Sequence, residues 1–426
     1  MTQEFRTIAP LSYEINPVQL LAPQYFTLDN GIPVYIIDAG TEDIIKFDLV
    51  FDAGSFYQSQ PLVASLSNKC LQEGTSNYTS KKIASTVDYY GAHLRAAATK
   101  DDARLSLYCL GRHFDKLLPL VNEVAFEAIF PAREVKTIVA KSRHEWEVNM
   151  EKVRYVAQTH FPALIFGADH PYGSRASAED FERLDREHLS DFHQQFYVQR
   201  PFKILISGKV PEQIITRINA IFGQTTINKN PWIPQITDPG YSVNQQHLIS
   251  KENALQSALR IGKVLFNKHH SDYIKMKVVS TILGGYFGSR LMTNIREDKG
   301  YTYGIGANLS SLKHGGMFSI ASEVGVDVRA KAVDEIFKEI DILRNELVDE
   351  SELHLVKNYL LGSFMRHADG PFALSELVKS VVDYDLDMNY FVRYQETIKN
   401  ITAKEIRELA VKYLDPASMI TLVAGK

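Results

Sequence analysis

Cysteine is almost absent: Cys70 and Cys109 are the only two in 426 residues. Two thiols exclude a disulfide framework and a cysteine-rich zinc cage. A charge excess is missing as well, since 47 Lys and Arg stand against 51 Asp and Glu, a formal net charge of −4. That near-balance argues against a nucleic-acid binder, whose basic surplus would track the phosphate backbone. No apolar run reaches the ~18 residues of a membrane span. The opening MTQEFRTIAP has no basic start, apolar stretch or small-residue cleavage site of a secretory leader. The expectation is a globular, cytoplasmic chain without membrane or nucleic-acid partners. Core material is plentiful, with 45% of residues apolar and 11% aromatic, and the length allows two or three domains.

Apolar alternation and amphipathic runs interleave, so α/β or α+β is expected rather than all-β. Around Asp29-Asn30-Gly31 two β-rich pieces suggest a hairpin, because Asn-Gly accepts the left-handed backbone of a tight turn. Strands are expected over 46–56, 103–111 and 202–210. Helices are expected over 61–73, 80–91 (capped by Thr79 or Ser80), 186–197, and 211–223 with Pro211 in its first turn. Helical periodicity also runs from about 114 to about 166, with Pro131 as a break. A stretch rich in Pro, Asn, Thr and Gly then reads as a linker, placed at 227–246. Beyond it the pattern restarts: the strand ALRIGKVLF, a helix from about 271, and two strands joined by Lys313-His314-Gly315-Gly316. Three helices and a closing strand, MITLVAG, complete it. The order suggests two halves of one fold, 1–226 and 247–426.

Five short motifs follow one another in the chain: Leu28-Asp29-Asn30-Gly31 with Val34, Ala53-Gly54-Ser55, Glu73-Gly74-Thr75, His170-Pro171-Tyr172-Gly173, and Ser289-Arg290-Leu291 continuing through Asn294 to Tyr303. The series resembles that of the pitrilysin/insulinase-type zinc peptidases. The resemblance implies an α+β chain of two homologous domains, each a mostly antiparallel sheet with helices packed on one side. In the two-chain bacterial branch of that family, two such chains close around a peptide-holding chamber. One chain carries zinc on an H-x-x-E-H helix with a distal Glu, and the other supplies an Arg/Tyr pair to the same site.

Counted back from Gly74-Thr75, the family's metal positions fall on Ser65, Asn68 and Lys69. Zinc hydrolysis needs two imidazoles one helical turn apart and a carboxylate that takes a proton from bound water. Ser65 and Lys69 share a helix face but offer no imidazole. Asn68 cannot accept the proton, and Lys69 puts a cation where a dication would sit. The resemblance sets the distal Glu at Glu145. The sharper expectation is that Lys69 approaches Glu145, an ion pair replacing the metal's crosslink; the plainer one leaves Glu145 as one acid on a charged helix. His144, Glu147 and Glu151 recur at helical spacing and read as a solvated face. The adjacent His269 and His270 diverge and read as turn residues, while His170 reads as a hydrogen-bonding residue of its loop. No metal or other cofactor is expected in this chain.

From about 287 to Lys299 the chain reads as a helix stopped by Gly300 as a left-handed cap. Tyr301 and Tyr303 then share one face of the next strand. A guanidinium and a phenol can both donate to a carbonyl oxygen and steady the charge it gains during amide hydrolysis. The resemblance implies that Tyr303 contacts the scissile carbonyl or oxyanion and that Arg296 orients substrate. Against this, Arg296 could pair with Glu297 while Tyr303 fills a core, and Gly284-Gly285 could end a helix or line a substrate passage. The resulting expectation is a noncatalytic, Arg/Tyr-bearing subunit of a heterodimeric zinc-dependent peptidase, inactive alone, acting on peptides with a homologous zinc-bearing partner. Whether it forms a homodimer in isolation stays open. The competing expectation is a peptide-binding or scaffold protein of the same fold without a peptidase partner.

Overall fold

The computed structural model describes residues 15–228, 240 and 242–426. The first half opens with β1 (Gln24–Thr27) and β2 (Pro33–Asp38), the expected hairpin, with Gly31 left-handed at φ 91°. β3 (Ile44–Phe51) leads into α1 (Val63–Cys70) and α2 (Ser80–Tyr89), whose Thr79 cap accepts from the Lys82 amide. The hairpin β4 (His93–Ala98) and β5 (Ala103–Leu110) follows. Then come α3 (Gly111–Phe126), α4 (Ala132–Met150), α5 (Val153–Phe166), α6 (Ala178–Arg183) and α7 (Arg186–His193). β6 (Phe202–Gly208) and α8 (Ile214–Phe222) finish this half. Its strands lie in the order β1-β2-β6-β3-β5-β4, and only β2 beside β6 is parallel.

The second half runs β7 (Gln246–Ser250), β8 (Gln256–Leu265), α9 (Tyr273–Gly284), a loosely wound helix Met292–Asp298, then β9 (Thr302–Leu312) and β10 (Gly315–Gly325). After these come α10 (Arg329–Asn345), α11 (Glu350–His367), α12 (Pro371–Val382), α13 (Asn389–Asn400), α14 (Ala403–Tyr413) and β11 (Ile420–Gly425). The order β7-β11-β8-β10-β9, with β7 beside β11 as the parallel pair, repeats the first sheet strand for strand once β1 is set aside. The α+β fold of two homologous halves is therefore present.

Several details depart from the sequence reading. Five helices, not three, separate β10 from β11, because the chain turns again at Gly370-Pro371, with Gly370 at φ 83°. β4, β7 and α6 were not anticipated; in β4 only Leu94 is buried, so alternation is faint there. Pro211 does not open α8, which begins after Gln213 in the left-handed region at φ 66°. The linker expectation falls largely on 229–239 and 241, outside the described residues.

Nor do helices cover only one side of each sheet. In both halves the third helix after the central hairpin crosses to the other half. α5 lies on β8 and β11, bringing Ala258, Ile420, Leu422 and Ala424 into the first core. α12 lies on β2 and β6, where Leu374 and Val378 meet Ile37, Val50 and Leu205. These sheet faces are apolar and need such a cover. Beside them Lys46 and Asp48 (2% and 1% exposed) pair at 2.9 Å, and Glu376 of α12 reaches Lys46 at 2.6 Å and Arg104 at 2.5 Å. Buried charges persist when multiply paired in this way. The His170–Gly173 loop also joins the halves: the Tyr172 hydroxyl donates to Asp101 and accepts from the His314 amide at 3.1 Å. Buried His170 accepts from the Tyr172 amide at 3.0 Å, a hydrogen-bonding part as expected. Among the described residues no helix is long and apolar enough to cross a membrane.

Candidate functional site

α1 places Ser65 and Lys69 on one face and turns Asn68 into the core. The Ser65 hydroxyl donates to the Leu62 carbonyl at 3.0 Å, a local helix bond. Asn68 is 1% exposed, and its amide donates to the Tyr197 hydroxyl at 3.1 Å. Lys69 Nζ donates to Ser142 Oγ at 3.2 Å and lies 3.9 Å from Glu145 Oε2, each charged side chain half-exposed. Lys69 and Glu145 thus meet across α1 and α4, though so long and wet a pair contributes about 1 kcal/mol or less. At the three positions the resemblance assigns to the metal, each side chain bonds to the protein, and one is a cation; these residues do not fit zinc. Among the described residues no group of three His, Cys, Asp or Glu could hold a metal. Glu147 pairs with Arg143 at 3.0 Å and Glu151 with Lys251 at 3.2 Å, as on a solvated face. His270 accepts from the Asp272 amide at 3.0 Å ahead of α9, a turn residue.

The helix carrying Arg296 is pinned at its sides. Asn294 donates to Glu335 at 3.1 Å and Glu339 at 2.6 Å on α10, and Arg290 forks onto Glu352 of α11 at 2.9 and 2.7 Å. Its last turn is wide, with the Lys299 amide bonding back to Asn294 at 3.2 Å. Gly300 stops it as expected, at φ 64°, and the Tyr301 amide closes the cap on Ile295 at 2.9 Å. The Arg296 guanidinium lies 4.3 Å over the Phe287 ring, with Glu297 3.8 Å away. A ring face attracts and orients a cation there.

A β-bulge then sets Tyr303. Thr302 opposes Val324 and Ile305 opposes Ser322, so Tyr303 and Gly304 together stand against Glu323. The Thr302 hydroxyl donates to the Glu323 carbonyl at 2.6 Å and accepts from the Gly304 amide at 3.0 Å, holding the bulge closed. Tyr301 packs against the second core while Tyr303 is 93% exposed. The expected shared strand face does not form, because the strand begins at Thr302 and Tyr301 lies before it, although both tyrosines border the same depression. Arg296, Phe287 and Tyr303 line one open depression of about 940 Å³. On Tyr303's other side a hollow is lined by Arg154, Arg260 and Glu323, with Arg154 3.7 Å from Glu323. Sequence reasoning missed Phe287, Thr302 and Arg260. The polar Thr inside Tyr-Thr-Tyr-Gly was the one signal available for the bulge, and nothing in spacing links Phe287 to Arg296.

The fold and α1 define a class: a two-domain α+β chain whose α1 offers neither imidazole nor carboxylate at Ser65, Asn68 and Lys69. The match to a peptidase family is direct, because "Insulinase (Peptidase family M16)" covers residues 34–170 and "Peptidase M16 inactive domain" covers 183–360. The chain belongs to the M16 peptidase family. It is 20% identical over 344 residues to the uncharacterized zinc protease YmxG of Bacillus subtilis, spanning 80% of this chain and 83% of that one. It is 22% identical over 362 residues to the non-peptidase homolog YmxG of Helicobacter pylori, spanning 81% and 80%. The crystal structure of a peptidase M16 inactive domain from Pseudomonas fluorescens has the same fold, with TM-score 0.86 at 23% identity over 95% of this chain and 98% of that one.

Proposed function

We propose that this chain is the noncatalytic, Arg/Tyr-bearing subunit of a cytoplasmic, heterodimeric zinc-dependent peptidase. One observation carries the reading: Tyr303 stands 93% exposed on a braced bulge, in the same depression as Arg296. A tyrosine kept for packing would be buried, since its ring is among the larger apolar payloads of a core. The phenol and the guanidinium instead offer donors to a carbonyl oxygen brought by a peptide. The zinc, which activates water in this chemistry, belongs to a homologous partner, because Ser65, Asn68 and Lys69 cannot ligate it. Among the described residues β4 and β9 end their sheets, which leaves edge backbone groups for an extended peptide.

The test mixes this chain with a homologue bearing the H-x-x-E-H helix and follows cleavage of a fluorogenic peptide. Hydrolysis is expected only from the mixture. Tyr303→Phe should lower kcat about 100-fold, the scale of a lost oxyanion donor, and Arg296→Ala should lower kcat/KM about tenfold. Unaltered turnover in both variants would remove the role assignment. The relative named a non-peptidase homolog supports a second reading, a peptide-binding or scaffold protein. That reading predicts a stable complex or bound peptide with no hydrolysis recovered.

A further inference from the structure

A separate cleft of about 360 Å³ lies in the second half, between α9, α11, α12, α13 and the edge strand β9. Its size is at the low end of small-molecule sites. Lys268 and Lys277 line it with the phenols of Tyr273, Tyr390 and Tyr394, and among the described residues no aspartate or glutamate does. Burial shifts the Lys277 ammonium downward with no carboxylate acting on it. Lys268 donates to the Ser380 carbonyl at 2.7 Å and lies 4.9 Å over the Tyr384 ring. Burial brings Lys268 down to about 8; Asp383 opposes that fall, while Lys379 and Lys277 add to it. Asp383 is itself engaged by Lys379 at 2.5 Å and Lys203 at 3.4 Å. Among the described residues these two cations, drawn from water, have no free counter-ion; that is costly, and an incoming oxyanion would offset the cost with charge-assisted hydrogen bonds.

We propose that this cleft binds a small carboxylate- or phosphate-bearing molecule with an aromatic or apolar body, its anion held by Lys277 and Lys268 and its body lying among the tyrosines. Asn308, at the cleft, is five residues beyond Tyr303 on β9, roughly 15 Å along a strand. The cleft shares no lining residue with the Arg/Tyr depression, although Gly285 of the one and Phe287 of the other are two residues apart, and it needs no partner chain.

Calorimetric titration of the full chain tests it with three probes: inorganic phosphate, N-acetylphenylalanine and the neutral amide of that amino acid. The acid should bind at least about tenfold more tightly than the amide, and phosphate should compete with it. Lys277→Gln should weaken the acid about tenfold while Lys277→Arg retains it. If Lys277→Gln does not fold by circular dichroism, Lys268→Gln reads the same effect. Tighter binding of phosphate than of the acid would assign the cleft to phosphate esters, and the reverse order to carboxylates. Equal affinity for acid and amide, no saturable binding of either anion, or full affinity in Lys277→Gln would overturn the proposal.

Discussion

Asn68 and Lys69 are neighbours on one turn of α1, yet they belong to different environments. Asn68→Ala would strand the buried Tyr197 hydroxyl without its amide partner. The expected loss is about 1–3 kcal/mol, read as a lower urea midpoint. Lys69→Ala removes only a half-exposed contact and should stay within about 0.5 kcal/mol. Equal losses would mean that the outward face of this helix is as structural as its inward one. A second residue sets the pH response. His193 is 4% exposed, and its Nε2 donates to the Ala125 carbonyl at 2.8 Å. Burial lowers it from 6.5 to about 4. The unfolded chain accepts a proton near 6.5 that the folded chain refuses until about 4. Stability is therefore full above that upper value and falls as pH drops through the window, by up to about 3 kcal/mol. His160, His170 and His314 are lowered too, each chiefly by burial, and act in the same sense. Urea midpoints should be clearly lower at about pH 4.5 than at about pH 7; a flat profile would contradict this.

The junction of α9 with β9 is set by a close approach of backbones. A Cβ on Gly284 would lie 2.4 Å from the Ala307 amide nitrogen and 2.8 Å from the Ala307 Cβ. Helix termination alone, one of the roles considered for this glycine, does not account for that contact. Gly284→Ala must push α9 away from the edge strand and should cost about 1–3 kcal/mol in urea unfolding. An unchanged midpoint would show that the strand yields freely. The other end of the same strand behaves differently. Gly300 ends its helix for a reason visible in the chain, a left-handed cap. The bulge after it depends on register against β10, so the outward turn of Tyr303 could not be read from alternation.

Across the molecule, the exchange of α5 and α12 makes each half complete the other. A fragment of residues 1–226 would leave α5 without Ala258, Ile420 and Leu422, and would uncover Ile37, Val50 and Leu205. It would also leave the Lys46, Asp48 and Arg104 cluster without Glu376. Exposed apolar faces of this kind drive association. The fragment should aggregate or lack a dispersed amide NMR spectrum, and a dispersed, cooperatively unfolding fragment would refute the interdependence.

The features legible along the chain are those that residue type or a few neighbours decide. The Asn30-Gly31 turn, the Thr79 cap and the Gly300 stop are local, and an alternating pattern repeated in order announces two like halves. The chemistry of Ser65, Asn68 and Lys69 is likewise plain, since none of them is an imidazole or a carboxylate. Tertiary structure decided the rest. Which face α5 and α12 would cover and the Tyr197 partner of Asn68 depend on residues far apart in sequence. Phe287 beneath Arg296, and Lys268 with Lys277 in one cleft, are pairs nine residues apart that only the path of the chain between them brings together. Periodicity reports which side of an element is apolar, but it does not say what that side will meet.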